Sequence, residues 1–269
     1  MANELTTIKS LQAVDAWIDV INANINGGVR TAYKSSRLKF GGSNVNISRG
    51  GNSVSVPLQY AEPGLITSNT VIDFSQGAIV NSSSSTHLAI KGEGFFLLNS
   101  LTYSGNDHFS RDGEFHTDAK GFLCTNDGLY LFDPFVGTNP PSFVALIWND
   151  VDQPGATAPV PPAGAPFPAV TRLSDLILYG GAGLIIVQNK PDLRFSRYGS
   201  TVYELPPGSQ VKVGTSDDAA VLSKSLEASN ASMTQSVPEL SLAQKLFSAL
   251  TKVLQISQTN TDAILNLVR

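Results

Sequence analysis

The sequence predicts an α+β fold, with an amphipathic helix at each end of the chain and an all-β domain between them. Three observations predict it. Apolar residues near both ends recur at alternating intervals of three and four, the spacing of one narrow helical stripe. The long middle breaks into short runs rich in β-branched and aromatic residues. Gly and Asp-Gly steps punctuate those runs, as turns between strands do.

At the start, Leu11, Val14, Ile18, Ile21 and Ile25 form the apolar stripe of a helix over residues 3–27, with Gly27-Gly28 as its stop. At the far end Ala243, Leu246, Leu250 and Val253 follow the same rule, which resumes at Ile264 and Leu267. This is the seam pattern of a coiled coil, so the two terminal helices are expected to pair as a coiled-coil-like hairpin. Ser236 and Glu239 read as a capping box with Pro238 in the first turn, so the last helix is expected to open there. Ser257 and Asn260 interrupt its seam, as polar residues that fix register do.

Four segments follow: a helix and arm over 1–40, a connector over 41–70, a β-rich domain over 71–225 and a terminal helical segment over 226–269. Expected strands include Leu88–Lys91, Phe95–Leu98, Tyr130–Phe132, Val144–Trp148 and Leu184–Val187. A meander is read through Phe109–Arg111, Glu114–Thr117, Phe122–Thr125 and Leu129–Phe132, turning at Asp112-Gly113, Lys120-Gly121 and Asp127-Gly128. Residues 150–170 carry Pro154, Pro159, Pro161, Pro162, Pro166 and Pro168, a density that neither helix nor sheet interior accepts. Phe109-Ser-Arg-Asp-Gly113 is echoed by Phe195-Ser-Arg-Tyr-Gly199, too short a match to define a repeat.

Composition narrows the function. A formal charge of −4 and a pI near 5.3 argue against a nucleic-acid partner, which needs clustered Lys and Arg. Charged residues make up 15% of the chain, below the usual quarter, so the surface can pack against copies of itself at modest desolvation cost. The single cysteine, Cys124, has no intrachain partner and reads as a small core residue. Glu4, Asp15 and Asp19 are incompatible with a basic-then-apolar secretory signal, and no run of about eighteen apolar residues occurs.

No catalytic, cofactor-binding or metal-binding constellation emerges. His87, His108 and His116 lack metal-ligand spacing. Gly92-Glu93-Gly94 before Phe95-Phe96 reads as a tight turn into a buried strand, not a dinucleotide loop. Asp107, Asp112, Glu114 and Asp118 do not follow calcium-loop spacing. An enzyme is not expected.

Four ordered blocks carry a resemblance. Asn22, Asn24 and Asn26 at the helix end precede Thr31-Ala32-Tyr33-Lys34. The stretch from Gly77 leads through Leu88-Ala-Ile-Lys-Gly92-Glu-Gly94-Phe95-Phe96. Then come Phe109-Ser-Arg111-Asp-Gly113-Glu-Phe115 and Asp118-Ala-Lys-Gly-Phe-Leu123. Last is Leu226-Glu227-Ala-Ser229-Asn230. Together they resemble the bacterial flagellar rod and hook proteins, of the shorter, distal-rod-like kind. In that family a Gly stands where this chain has Ala32.

The resemblance implies a structural subunit that self-assembles into a helical tube, its paired terminal helices inside and its β domain outside. It implies as partners copies of itself and other axial flagellar proteins, with no nucleic acid and no membrane insertion. The location would be outside the cytoplasm, reached by the flagellar type III route. Alternative readings are a related subunit of a non-motility extracellular tube or sheath, and a β-rich surface adhesion module.

Overall fold

A computed structural model describes residues 2–42, 64–100, 107–119, 121–135, 142–147, 171–172, 184–213 and 219–267. Within them the chain has a long helix at each end and short strands between, the α+β class expected. Two compact units form: residues 1–28, 35–73 and 231–269 make a helical unit, and residues 29–34 and 74–230 a β unit. The Pro-rich stretch and most of the connector lie outside the described residues.

The helical unit holds α1 (Ala2–Gly27), β1 (Ser36–Gly42), β2 (Leu65–Ile72) and α2 (Met233–Leu267). Val14, Ile21 and Ala243 are sealed between the helices, with Trp17, Ile18, Ile25, Leu240, Leu246 and Leu250 packed around them. The helices run antiparallel, because Met233 lies beside Gly28 while Glu4 reaches Ser257 and Thr261. At 35 residues α2 is roughly 52 Å long. Strands β1 and β2 pair antiparallel from Ser36↔Ile72 to Gly42↔Leu65, with a bulge between Lys39 and Phe40. Part of the sequence read as connector is therefore strand. Trp17 meets Phe40 edge to face at 5.5 Å.

The start of α2 differs from the capping-box reading. The helix opens at Met233, and the Ser232 carbonyl accepts from the Gln235 and Ser236 N–H groups. Ser236 Oγ donates back to the Ser232 carbonyl at 3.0 Å instead of capping. Glu239 accepts from Gln235. Pro238 thus sits one turn in, where its missing N–H forfeits a single bond to the Thr234 carbonyl.

The β unit holds β3 (Ile79–Asn81), β4 (Leu88–Gly92), β5 (Phe96–Asn99), β6 (His108–Ser110), β7 (His116–Thr117), β8 (Leu123–Cys124), β9 (Tyr130–Phe135) and β10 (Ser142–Ile147). It continues with β11 (Thr171–Arg172), β12 (Ile185–Val187), β13 (Arg194–Ser196), β14 (Gly199–Glu204), β15 (Val211–Val213), β16 (Ala219–Ser223) and β17 (Ser225–Glu227). The main sheet runs β11-β10-β9-β5-β6-β14-β13, with β7 and β8 joined to it through β9. Three two-stranded pieces, β12-β15, β16-β4 and β17-β3, complete the unit. The last two strands of the sequence thus pair with the first two of the unit.

Its core gathers Leu88, Ile90, Phe96, Leu98, Phe115, Leu123, Leu129, Leu131 and Leu184. Phe96 and Phe115 meet edge to face at 5.2 Å. The meander is present over β7, β8 and β9. Its first hairpin is absent. Strand β6 pairs with β5 and β14, and the Gly113 carbonyl accepts from the Leu88 N–H. A side chain at Gly113 would collide with the Leu88 carbonyl, so this glycine serves a close crossing and not a turn. The two halves of the Phe-Ser-Arg echo flank one strand: Phe109 and Phe195 stand opposite Tyr203 of β14.

Candidate functional site

The four sequence blocks converge on one buried carboxylate in the β unit. Glu227, on β17, is 1% exposed. Its Oε1 accepts from Lys34 Nζ at 2.6 Å and from the Gly77 N–H at 2.8 Å. Its Oε2 accepts from Arg111 Nε at 2.9 Å. The side chains of Lys34 and Arg111 are 0% and 3% exposed. One residue of each block (Lys34, Gly77, Arg111 and Glu227) meets here.

Neighbouring carbonyls accept further bonds from both cations. Lys34 Nζ also donates to the Ser75 carbonyl at 2.7 Å. Arg111 Nη2 donates to the Gly92 carbonyl at 2.8 Å, and its guanidinium lies 6.0 Å from the centre of the Phe95 ring. Gln76 clamps the same turn, giving Nε2 to the Ile90 carbonyl and taking the Gly92 N–H. A Cβ at Gly77 would strike the Ala228 carbonyl, so only glycine lets β17 approach and its N–H reach Glu227. Such a lock tolerates no missing partner: removing one member of a buried ion pair typically costs about 3–5 kcal/mol.

The backbone joins the same residues. The Ala32 N–H donates to the Glu227 carbonyl at 2.7 Å, and the Asn230 N–H to the Tyr33 carbonyl at 3.2 Å. Asn230 Nδ2 reaches the Ser75 carbonyl and hydroxyl. Thr31 Oγ1 donates to Asp112 Oδ1, and burial raises the Asp112 carboxyl above its ordinary range against that bond. Ala32 sits at φ 50°, 1% exposed. The left-handed region suits glycine, which explains the glycine of the resembling family at this position.

The other residues singled out by sequence fall as follows. Asn24 grips the start of β1: its Nδ2 donates to the Ser36 carbonyl, and its Oδ1 accepts the Ser36 N–H. Asn22 and Asn26 face outward. Phe95, Phe96, Phe115 and Tyr33 are buried, and Gly94 crosses Leu184 closely. Ser229 is half-buried beside the lock. Leu11 is half-buried on α1.

Spacing alone had joined Val253, Ile264 and Leu267 to the Ala243 stripe, but they stand 53%, 62% and 86% exposed. Toward its end the face of α2 turned to α1 passes instead through Leu254 and Ser257, whose Oγ reaches Glu4. A second stripe therefore exists, which sequence reasoning had merged with the first. Leu242, Ala249, Val253, Ile256, Asn260, Ile264 and Leu267 recur at intervals of three, four or seven, about a third of a turn from the buried face.

Cys124 is buried against His116, Sγ to Nε2 3.3 Å, and burial pushes its thiol above the ordinary value. A reactive thiolate requires the opposite shift. Among the described residues no group of three or more His, Cys, Asp or Glu is arranged to hold a metal ion. No helix among them is long and apolar enough to cross a membrane.

Comparison with known proteins places these features. Residues 89–153 match the family described as the flagellar hook protein FlgE/F/G D1 domain. The flagellar hook protein FlgE of Helicobacter mustelae is 36% identical over 132 residues, which cover 45% of this chain and 28% of that protein. The flagellar basal-body rod protein FlgG of Bacillus subtilis is 25% identical over 279 aligned positions, 97% of each chain. FlgG of Buchnera aphidicola is 36% identical over 32% of this chain and 34% of its own. The match thus spans about a quarter or less of the hook proteins' length and nearly all of one rod protein's. The four sequence blocks gathered around Glu227 thus lie in a chain that is similar, over these stretches, to bacterial flagellar hook and rod proteins.

Proposed function

We propose that this chain is a structural subunit, not an enzyme, that self-assembles into a helical tube of the flagellar axial kind. Its partners are copies of itself and other axial flagellar proteins. Its place is outside the cytoplasm, reached by the flagellar type III route. The observation that carries this reading is the second apolar stripe of α2, where Leu242, Val253, Ile256, Ile264 and Leu267 are each more than half exposed. A soluble monomer has little reason to keep such a row on one helix.

The magnitudes favour association. Covering one such stripe gives on the order of 10 kcal/mol at about 1.5–3 kcal/mol per large apolar side chain. Two facing stripes double that, enough to outweigh the estimated 4–15 kcal/mol association cost. The low charge content of the chain keeps the accompanying desolvation cost small.

Light scattering and negative-stain electron microscopy across a concentration series test the reading. Helical filaments above a critical concentration are expected. A monomer at every concentration, with no filament in the images, contradicts it.

A further inference from the structure

We propose that the Lys34–Glu227–Arg111 lock controls whether the two terminal helices pair, because closing it brings together the chain segments that lead into them. This holds for the single subunit and does not rest on the tube reading.

The chain passes between its two units after Gly28, before Ser35, after Asp73 and before Ala231. Just inside the β unit, these passages are tied to one another. Lys34 and Asn230 both donate to the Ser75 carbonyl. The Asn230 N–H reaches the Tyr33 carbonyl, and the Ala32 N–H reaches the carbonyl of Glu227. Glu227 lets this knot be dry, since its carboxylate pairs with both buried cations, Lys34 and Arg111.

With the lock open and the β4–β16 pairing also lost, α1 and α2 are the ends of a loop of about 200 residues. With it closed, the route from Gly28 through Ala32, across the hydrogen bond to Glu227 and on to Ala231 is about ten residues. Loop-closure entropy scales with the 3/2 power of length, so closure raises the effective concentration of one helix near the other on the order of a hundredfold. Opening the lock lowers it by up to that factor without altering a helix residue. The closing strand, β17, is also the last of the β unit in sequence. A chain lacking it therefore has neither a neutralised β unit nor juxtaposed helices.

Hydrogen exchange read by mass spectrometry on the full chain tests this in three forms: wild type, Glu227→Gln and Leu123→Ala. Glu227→Gln is expected to lower protection over residues 225–230 and, at least tenfold, within α1 and α2. Leu123→Ala removes core packing away from the lock. It is expected to leave helix protection at the wild-type level while residues 225–230 stay protected. Should Glu227→Gln fail to fold, Glu227→Asp under increasing urea replaces it, and helix protection should fall together with that of 225–230. Helices that keep wild-type protection while 225–230 exchange freely overturn the proposal. So does helix loss in Leu123→Ala with 225–230 still closed.

Discussion

Among the described residues, the β unit buries even some of its charged groups, whereas the helical unit leaves large apolar side chains of α2 exposed. In the β unit even the charged groups are buried and answered: Glu227 takes both cations, Arg111 also reaches the Gly92 carbonyl, and the aromatic core closes around them. In the helical unit only one face of α2 is covered, and a full apolar stripe faces outward. Apolar burial is more nearly complete around the β core than along α2. The contrast separates what holds the single chain together from the surface that the proposed assembly would use.

The largest break in the comparison comes from the lock. Glu227→Gln should destabilise the β unit by about 3–5 kcal/mol, read as a lower urea midpoint, because buried Lys34 and Arg111 both lose the Glu227 charge. Replacing Lys34, Arg111 and Glu227 together by Met should recover most of that loss, since the apolar set carries no desolvation penalty. A single variant that matches wild type would show the lock to be ornamental.

Next come the sealed helix positions. Ile21→Ala should cost about 2–5 kcal/mol in the helical unit, measured by thermal unfolding followed at 222 nm, because Ile21 is 1% exposed. Ala32→Gly moves the balance the other way. Relief of the left-handed strain should stabilise the β unit by about 1 kcal/mol, with chemical denaturation as the readout and any destabilisation as the contrary result.

The smallest effect is a pH dependence. His108 on β6 is buried, its Nδ1 has no hydrogen-bond partner in the described structure, and its ring meets Tyr198 edge to face at 5.0 Å. Burial lowers its pKa from the ordinary 6.5, aided by Arg197 and opposed by Glu204 and Asp107. The folded state thus prefers neutral His108. Its contribution is fully present above pH 6.5 and is lost as the pH falls below that toward the folded value. Stability should decline over that window in wild type and decline less in His108→Gln. Identical pH profiles would remove His108 from the account.

Local chemistry made much of the fold legible. The three-four spacing located both helices, and Asp127-Gly128 marked the β8–β9 turn. Errors arose where a local signal had a long-range purpose. Asp112-Gly113 looks like a hairpin, yet Gly113 exists to let Leu88 pass. Ser236-Glu239 looks like a cap, yet the helix is already under way at Met233.

The lock itself was not legible as chemistry. Lys34 and Glu227 are 193 positions apart and Arg111 and Glu227 are 116 apart, and no periodicity reports such pairs. Only the resemblance drew notice to those residues, without saying that they meet. The second stripe of α2 was hidden for another reason. Val253 fits either stripe by spacing, and only burial decides between them.

The central claim is that the outward stripe of α2 is the surface by which subunits join. The direct test is assembly of a Val253→Ser/Ile256→Ser chain beside wild type, by light scattering and electron microscopy, with melting temperature recorded for both. Both sites are more than half exposed, so monomer stability should change by no more than about 0.5 kcal/mol. Wild type should form filaments at concentrations where the variant stays monomeric. A variant that melts like wild type and still assembles at the same critical concentration would contradict the account.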